Sequence, residues 1–340
     1  MRWVTGLRGG WRGMQAVFGE GIAMMGRRPS PLGVLPALLT SSQDVIVSAN
    51  WIWPTAYGVH LARRLRRFRL VGFPIFHIAR PWAEQLLYHE MLAACDAVLT
   101  LTDAEQQFVQ ARCRGRVEVT GAGVDPAPFV RRDGGAVRRL HNLGDGPVVG
   151  FIGRQDPLKG VLTLLEAMRL VWQARPEVRL LLGGPRAHRS REVSAALESL
   201  PAEHRPQLVD LSDFADRDGP SIIDACDVVA LPSVEESFGL VFLEAWMCRK
   251  PVVGVRIPST ECVIEDGQDG LLARPMDPAD LARCLLELLG DPGRAGMLGE
   301  RGYRKTLARF TWDAVVDRWE AVLREVVEGS RRGSKGVEEG

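Results

Sequence analysis

The sequence predicts an α/β protein built from two doubly wound domains, and three observations carry that prediction. After Pro147, short β-rich apolar runs alternate with stretches of helical spacing. The first 130 residues repeat the same grammar less cleanly. Between the two lies 126–146, "PAPFVRRDGGAVRRLHNLGDG", rich in Gly, Pro and charge, which reads as a hinge.

In the second half, "PVVGFIG" (147–153), "VRLLLGG" (178–184), "QLVDLS" (207–212), "DVVALPS" (227–233) and "PVVGVRI" (251–257) are predicted as buried parallel strands. In the first half the candidates are "DVIVSAN" (44–50), "LVGFPIF" (70–76), "DAVLTLT" (96–102) and "RVEVTGAG" (116–123). The expected division is 1–130, 131–309, a helix over 310–330 and a polar tail, 331–340, with no reason to fold. That helix would start at Thr311 as N-cap and bury Val315, Val316, Trp319 and Val322. Two such domains would leave a cleft at the carboxyl ends of their strands, where ligands bind.

Composition narrows the function. With 340 residues, 46% apolar and 25% charged, the chain is ordinary globular material. Cysteines 95, 113, 226, 248, 262 and 284 form no CxxC pair and have no partner histidines at ligand spacing, which argues against zinc and disulfides and for a reducing cytoplasm. No run approaches eighteen apolar residues, and no signal peptide is legible. Residues 1–80 hold eleven arginines against Glu20 and Asp44, so +9 of the net +1 sits there and −8 elsewhere. The stretch "LARRLRRFR" (61–69) reads either as a solvated helix face or as a peripheral contact with anionic membrane. It lacks the interleaved aromatics of a nucleic-acid binder.

Two segments break local rules. In "GFIGRQDPLKG", Asp156 is a plausible N-cap and Pro157 the first helical residue, which places Lys159 in the first turn, where a cation opposes the helix dipole by a few tenths to ~1 kcal/mol. A bound anion would reverse that sign, with amides, Arg154 and Lys159 converging on one phosphate-sized site. The plain alternative is a surface lysine whose stem escapes the dipole.

In "EESFGLVFLEAWM", a helix starting near Ser237 or Phe238 would be apolar on every face except at Glu244. An ionised carboxylate buried alone there costs several kcal/mol, so it faces either a polar ligand or an internal arginine. Glu236 precedes the helix, and eight residues on an ideal helix separate the two by about 80°. Cations for a diphosphate flanked by carboxylates for hydroxyls read together as a nucleotide-sugar site.

The segment from Pro147 to about Val327 resembles the C-terminal half of glycosyltransferase family four, the retaining enzymes of GT-B architecture. "GRQDPLKG", "CDVVALPS", the E-x7-E pair Glu236 and Glu244, "PVVGV", "VIEDGQDGLL" and "FTW" carry the resemblance. It implies two Rossmann-like domains facing a cleft, with the C-terminal one holding the donor. It implies that Arg154 and Lys159, beside Gly153, hold the donor diphosphate with amides around Ser237, Phe238, Gly239 and Leu240. Glu236 would meet sugar hydroxyls and Glu244 the ribose diol. His77 would stand near the anomeric centre or the acceptor, unless it is a hydrogen-bonded structural histidine. No cofactor or metal is implied, and the acceptor would be a hydroxyl of a glycan or lipid-linked acceptor.

This chain departs from the family pattern at its start, where a strand and a Gly-Gly loop are expected. "GLRGGWRG" has Gly9 and Gly10 without a preceding β-run, which reads as coincidence in a shortened or misassigned N-terminus. A second departure is "VRIPSTECVIEDG", where Ser259 and Thr260 are candidates to offer hydroxyls to the ligand. The rival readings are a non-catalytic nucleotide-sugar binder, an epimerase of the same architecture, and a metal-dependent transferase argued from "DRD" (216–218), a triplet that reads better as helix-start chemistry.

Overall fold

The computed structural model describes residues 31–40, 43–49, 55–76, 86–186 and 191–335. The chain folds as two compact units, Met1–Gly123 with Trp312–Gly340, and Val124–Thr311.

The first unit holds a parallel sheet of β1 (Val45–Ala49), β2 (Arg69–Phe73), β3 (Ala97–Thr100) and β4 (Arg116–Val119), in the order β1-β2-β3-β4. Successive side chains point to opposite faces of a strand, so each strand feeds two cores. Leu70 and Val98 join one, with Phe76, Met91 and Leu92. Val71, Ala97 and Leu99 join the other, with Val315, Trp319 and Val322. Those last three come from the helix Trp312–Lys335, which the apolar spacing predicted. Trp319 meets Phe73 edge-on at 4.9 Å, and Arg318 donates to the Thr120 carbonyl at 2.7 Å. The helix runs to Lys335, further than the expected start of the tail at 331.

The second unit holds β5 (Val148–Ile152), β6 (Arg179–Gly183), β7 (Leu208–Leu211), β8 (Val228–Ala230), β9 (Val252–Val255) and β10 (Gly270–Ala273). All pairs are parallel, in the order β10-β9-β8-β5-β6-β7. Five of these strands follow the predicted runs. β10 was not predicted, because "GLLA" is four residues with no alternation and becomes a strand by pairing with β9.

The segment 126–146 is not a free hinge. Asp133 caps the helix Gly134–Leu140, Arg132 pairs with Asp224 at 2.9 Å, and Arg138 pairs with Asp227 at 2.6 Å. Arg132 and Arg138 are anchors to the rest of the second unit, and composition alone cannot distinguish an anchored charge from a solvated one.

The basic stretch is also largely committed within its own unit. Arg63 donates to the Phe68 carbonyl and pairs with Asp96, Arg66 donates to the Leu38 and Gln43 carbonyls, and Arg69 pairs with Asp96. Among the described residues no helix is long and apolar enough to cross a membrane.

Candidate functional site

Chain order places the site. After β5 the chain builds β6 and β7 to one side, then returns to lay β8 against the other edge of β5. At such a switch point the loops leaving two adjacent strands diverge and open a crevice at their carboxyl ends. Here those loops are Gly153–Gly160, after β5, and Leu231–Gly239, after β8.

The first loop leaves through Gly153, whose φ is +148°. Arg154 follows, more than half exposed, with Nε 3.8 Å from Asp156 Oδ2. The Asp156 carboxylate accepts from Leu158 N at 2.8 Å and caps a single 3-10 turn, Pro157–Lys159. Gly160 then adopts φ +78° and starts the α-helix Val161–Ala174. Lys159 thus lies before the long helix rather than in its first turn, so the dipole argument for it does not apply.

Its partner does the work instead. Lys159 Nζ stands 2.5 Å from Glu236 Oε1, with the two side chains only 19% and 9% exposed. Two further bonds fasten the loops together: Val234 N donates to the Leu158 carbonyl at 3.0 Å, and Ser233 Oγ to the Lys159 carbonyl at 3.5 Å. A Cβ on Gly160 would fall 2.0 Å from the Pro232 carbonyl oxygen, so the approach needs glycine for space as well as for φ.

The second loop ends in the helix Leu240–Met247, capped by Gly239 at φ +92°, a start two or three residues later than predicted. Phe238 is buried against Phe310, ring centroids 5.5 Å apart. The helix is not buried all round: Phe242, Leu243, Ala245, Trp246 and Met247 face the core, while Leu240 is 45% exposed and Val241 and Glu244 are half-buried. The i, i+1, i+4 spacing of those three gives one open stripe running from the helix N-terminus.

Among the described residues no lysine or arginine pairs with Glu244. Burial, and then the nearby Asp216 carboxylate, push its pKa up to about 7. Among the described residues Glu244 is thus a partly buried acid with no cation beside it, a group that can accept hydroxyl hydrogen bonds when ionised.

The back of that helix is locked. Trp246 Nε1 donates to the Asp269 carbonyl at 2.9 Å, Lys305 lies 4.9 Å from the Trp246 ring centroid, and Lys305 is ion-paired to Asp269. The motif "VIEDGQDGLL" is thereby a structural brace for the helix that carries Glu244.

Residues 146–291 match the family described as glycosyl transferases group 1. The chain carries this family's domain over that segment. It is 32% identical over 283 residues to the D-inositol 3-phosphate glycosyltransferase of Stackebrandtia nassauensis, an alignment covering 79% of this chain and 63% of the relative. The corresponding protein of Acidothermus cellulolyticus is 32% identical, covering 83% and 64%. The chain thus spans less than two thirds of the length of these relatives.

The chain has the GT-B fold. It superposes on sucrose-phosphate synthase from Thermosynechococcus elongatus with TM-score 0.75 at 23% identity, covering 88% of this chain and 77% of that one. HepE of Anabaena, solved in complex with UDP and glucose, gives TM-score 0.75 at 21% identity, covering 86% and 80%.

The predicted site residues fall as follows. Gly153, Arg154, Lys159, Glu236, Ser237, Phe238, Gly239, Leu240 and Glu244 all lie on the two loops and the helix at the β5/β8 switch point. His77, Gly9 and Gly10 lie outside the described residues. Thr260 is fully buried and spends its hydroxyl on the carbonyls of Val255 and Ile257, so it is not free to offer it to a ligand. Asp216–Asp218 is an exposed 3-10 turn leading into the helix Gly219–Asp224, with Asp218 at the N-cap position but no side-chain capping bond. Sequence reasoning passed over Glu105, a buried carboxylate in the first unit; the spacing Thr102-x-x-Glu105 carried a capping-box signal for it.

Proposed function

We propose that the protein is a retaining, metal-independent glycosyltransferase that moves a sugar from a nucleotide-diphosphate donor to a hydroxyl of a glycan or lipid-linked acceptor. The observation that carries this reading is the Lys159–Glu236 pair at the β5/β8 switch point, beside Arg154 and the open N-terminus of the helix bearing Glu244. A nucleoside diphosphate sugar supplies the complementary parts: two phosphates for the cations and helix amides, and hydroxyls for the carboxylates. The solved likeness of HepE in complex with UDP-glucose supports a donor of this kind.

In the mechanism this supports, the diphosphate lies against Arg154, Lys159 and the amides of Gly239 and Leu240. These groups stabilise the charge that develops as the glycosidic bond to phosphate breaks. Glu236 accepts from sugar hydroxyls and orients Lys159. Glu244 accepts from the ribose diol. The acceptor approaches from the face that the nucleotide leaves, so a departing phosphate oxygen takes its proton and no dedicated base is assigned. His77 is proposed to touch the anomeric region or the acceptor.

Peripheral contact with an anionic membrane, if made by the basic stretch, falls to Arg67 beside exposed Leu61 and Leu65, since Arg64 pairs with Glu90 at 3.5 Å. The work would be done in the cytoplasm.

The deciding experiment is a thermal-shift screen with UDP-, GDP- and ADP-sugars, followed by donor hydrolysis and product analysis. Donor-induced stabilisation with slow hydrolysis supports the transferase. Binding without either hydrolysis or transfer supports the non-catalytic binder, and a changed sugar on an intact nucleotide supports the epimerase.

A further inference from the structure

Trp246 and Glu244 stand two residues apart on the helix Leu240–Met247, about 200° around it, so they face opposite sides. Glu244 lies on the open stripe, whereas Trp246 is 0% exposed and meets the helix Pro292–Arg309.

That second helix receives the indole in a notch. A Cβ at Gly302 would fall 2.2 Å from Trp246 Cδ1 and Nε1. A Cβ at Gly299, one turn earlier on the same face, would fall 2.1 Å from the Arg249 carbonyl oxygen. Both positions must be bare for the two helices to meet at this depth. At Gly296, on the same helix, an added Cβ would have nothing within 4 Å, so the bareness at 299 and 302 is a fit to this one helix end.

Side chains of the same helix fasten the rim of the notch. Lys305 lies over the Trp246 ring, donates to the Val263 carbonyl at 2.7 Å and pairs with Asp269, whose carbonyl takes the indole N–H. Glu300 pairs with Arg249 Nε at 2.8 Å, and the Tyr303 ring lies 3.9 Å from the same guanidinium. Arg249 itself has φ +54°, a conformation that a non-glycine residue keeps only where its surroundings over-determine it. The helix so held has eight residues, and Glu244 lies only about 3 Å along its axis from Trp246. Whatever seats the indole therefore places the carboxylate.

We propose that Trp246 is a positioning residue for donor binding: seated in the notch at Gly299 and Gly302 and tied to Asp269 and Lys305, it sets the depth of its helix and so how far the Glu244 carboxylate stands out of the core. The proposal rests on the functional reading above only for what Glu244 binds. Trp246 acts through the helix and touches no substrate. A push from behind at Trp246 moves Glu244 outward into water, which relaxes the desolvation that raises its pKa to about 7. The titration of one side chain thus reads the position of the helix without any ligand.

The test uses the full chain with 13C-labelled glutamate, the Glu244 carboxyl resonance being assigned by its loss in Glu244→Gln. Gly302→Ala drives the ring from its seat, so the Glu244 midpoint should fall from about 7 toward 4.5. The Kd for UDP-glucose, measured by calorimetry at pH 8 where the carboxylate is ionised in both proteins, should weaken about tenfold or more. Gly296→Ala should leave both readouts as in wild type. Leu285→Ala, a core truncation in the helix Pro278–Gly290, should lower the unfolding midpoint and leave both readouts unchanged, which separates position from stability. A folded Gly302→Ala protein with an unmoved Glu244 titration would overturn the proposal, and so would a Leu285→Ala protein that shifts it equally. If Gly302→Ala does not fold, Trp246→Phe, which keeps a ring and loses the indole N–H to Asp269, decides on the same criteria. A wild-type protein that binds no nucleotide sugar would fail the functional reading, and the titration would then decide the positioning by itself.

Discussion

Lys159 Nζ and Glu236 Oε1 lie 2.5 Å apart although 77 residues separate them in the chain. The pair joins the two loops that leave β5 and β8, and it keeps a cation half-buried at the place proposed for the donor diphosphate. A half-buried pair of this kind is costly to break from one side, because the remaining charge stays desolvated.

Lys159→Ala should therefore nearly abolish the donor-induced thermal shift and destabilise the free protein by about 1–3 kcal/mol. Urea unfolding of the free protein and the nucleotide-sugar thermal shift read the two effects separately. A full donor response in this variant would remove Lys159 from the site.

Glu244 makes donor binding depend on pH. Its pKa is raised from 4.5 to about 7, so between those values the native state holds more protons than the unfolded chain. Stability from this group is therefore highest below pH 4.5 and lost as pH rises to 7. Donor binding as proposed needs the ionised form, so it runs the other way, strengthening about tenfold from pH 6 to pH 8 with proton release. Glu244→Gln should flatten the affinity profile and gain stability relative to wild type at pH 8. Calorimetry in buffers of different ionisation enthalpy measures the released proton directly, and zero uptake or release at pH 7 would contradict the assignment.

Gly160→Ala tests the fastening of the loops. The substitution strains φ +78° and drives a Cβ to 2.0 Å from the Pro232 carbonyl oxygen, so the two loops must part. Stability should fall by about 2 kcal/mol or more, with loss of the donor response and far-UV circular dichroism retained.

Trp319→Ala tests the return of the last helix. This side chain fills the core with Val71, Leu99 and Phe73, and its removal should cost about 3–5 kcal/mol. The unfolding transition of the first unit should move to lower denaturant while the nucleotide-sugar response, read below that transition, persists.

Transfer should survive a chelator. In the proposed mechanism Arg154, Lys159 and the helix N-terminus would supply the positive charge that a divalent cation brings elsewhere. Loss of activity in EDTA, restored by magnesium or manganese, would point back to Asp216 and Asp218.

The sequence by itself determined the α/β grammar and nearly every strand, because apolar runs and helical spacing are local patterns of period two and 3.6. It also singled out Glu244, since a lone carboxylate in an apolar helix is visible without a fold; Lys159 was picked by a first-turn placement that the 3-10 turn Pro157–Lys159 overturns, and Arg154 and Glu236 by their neighbourhood in the same motifs. The tertiary structure alone decided what those charges meet. Strand order brought β8 beside β5, and with it Glu236 to Lys159 and an open stripe to Glu244. The same holds for the docking of 126–146, the return of the helix Trp312–Lys335 to the first sheet, and the reach of Glu105 to the Phe76 N–H. Each joins residues far apart in the chain, and such pairings are set by sheet order and packing, which no local period encodes.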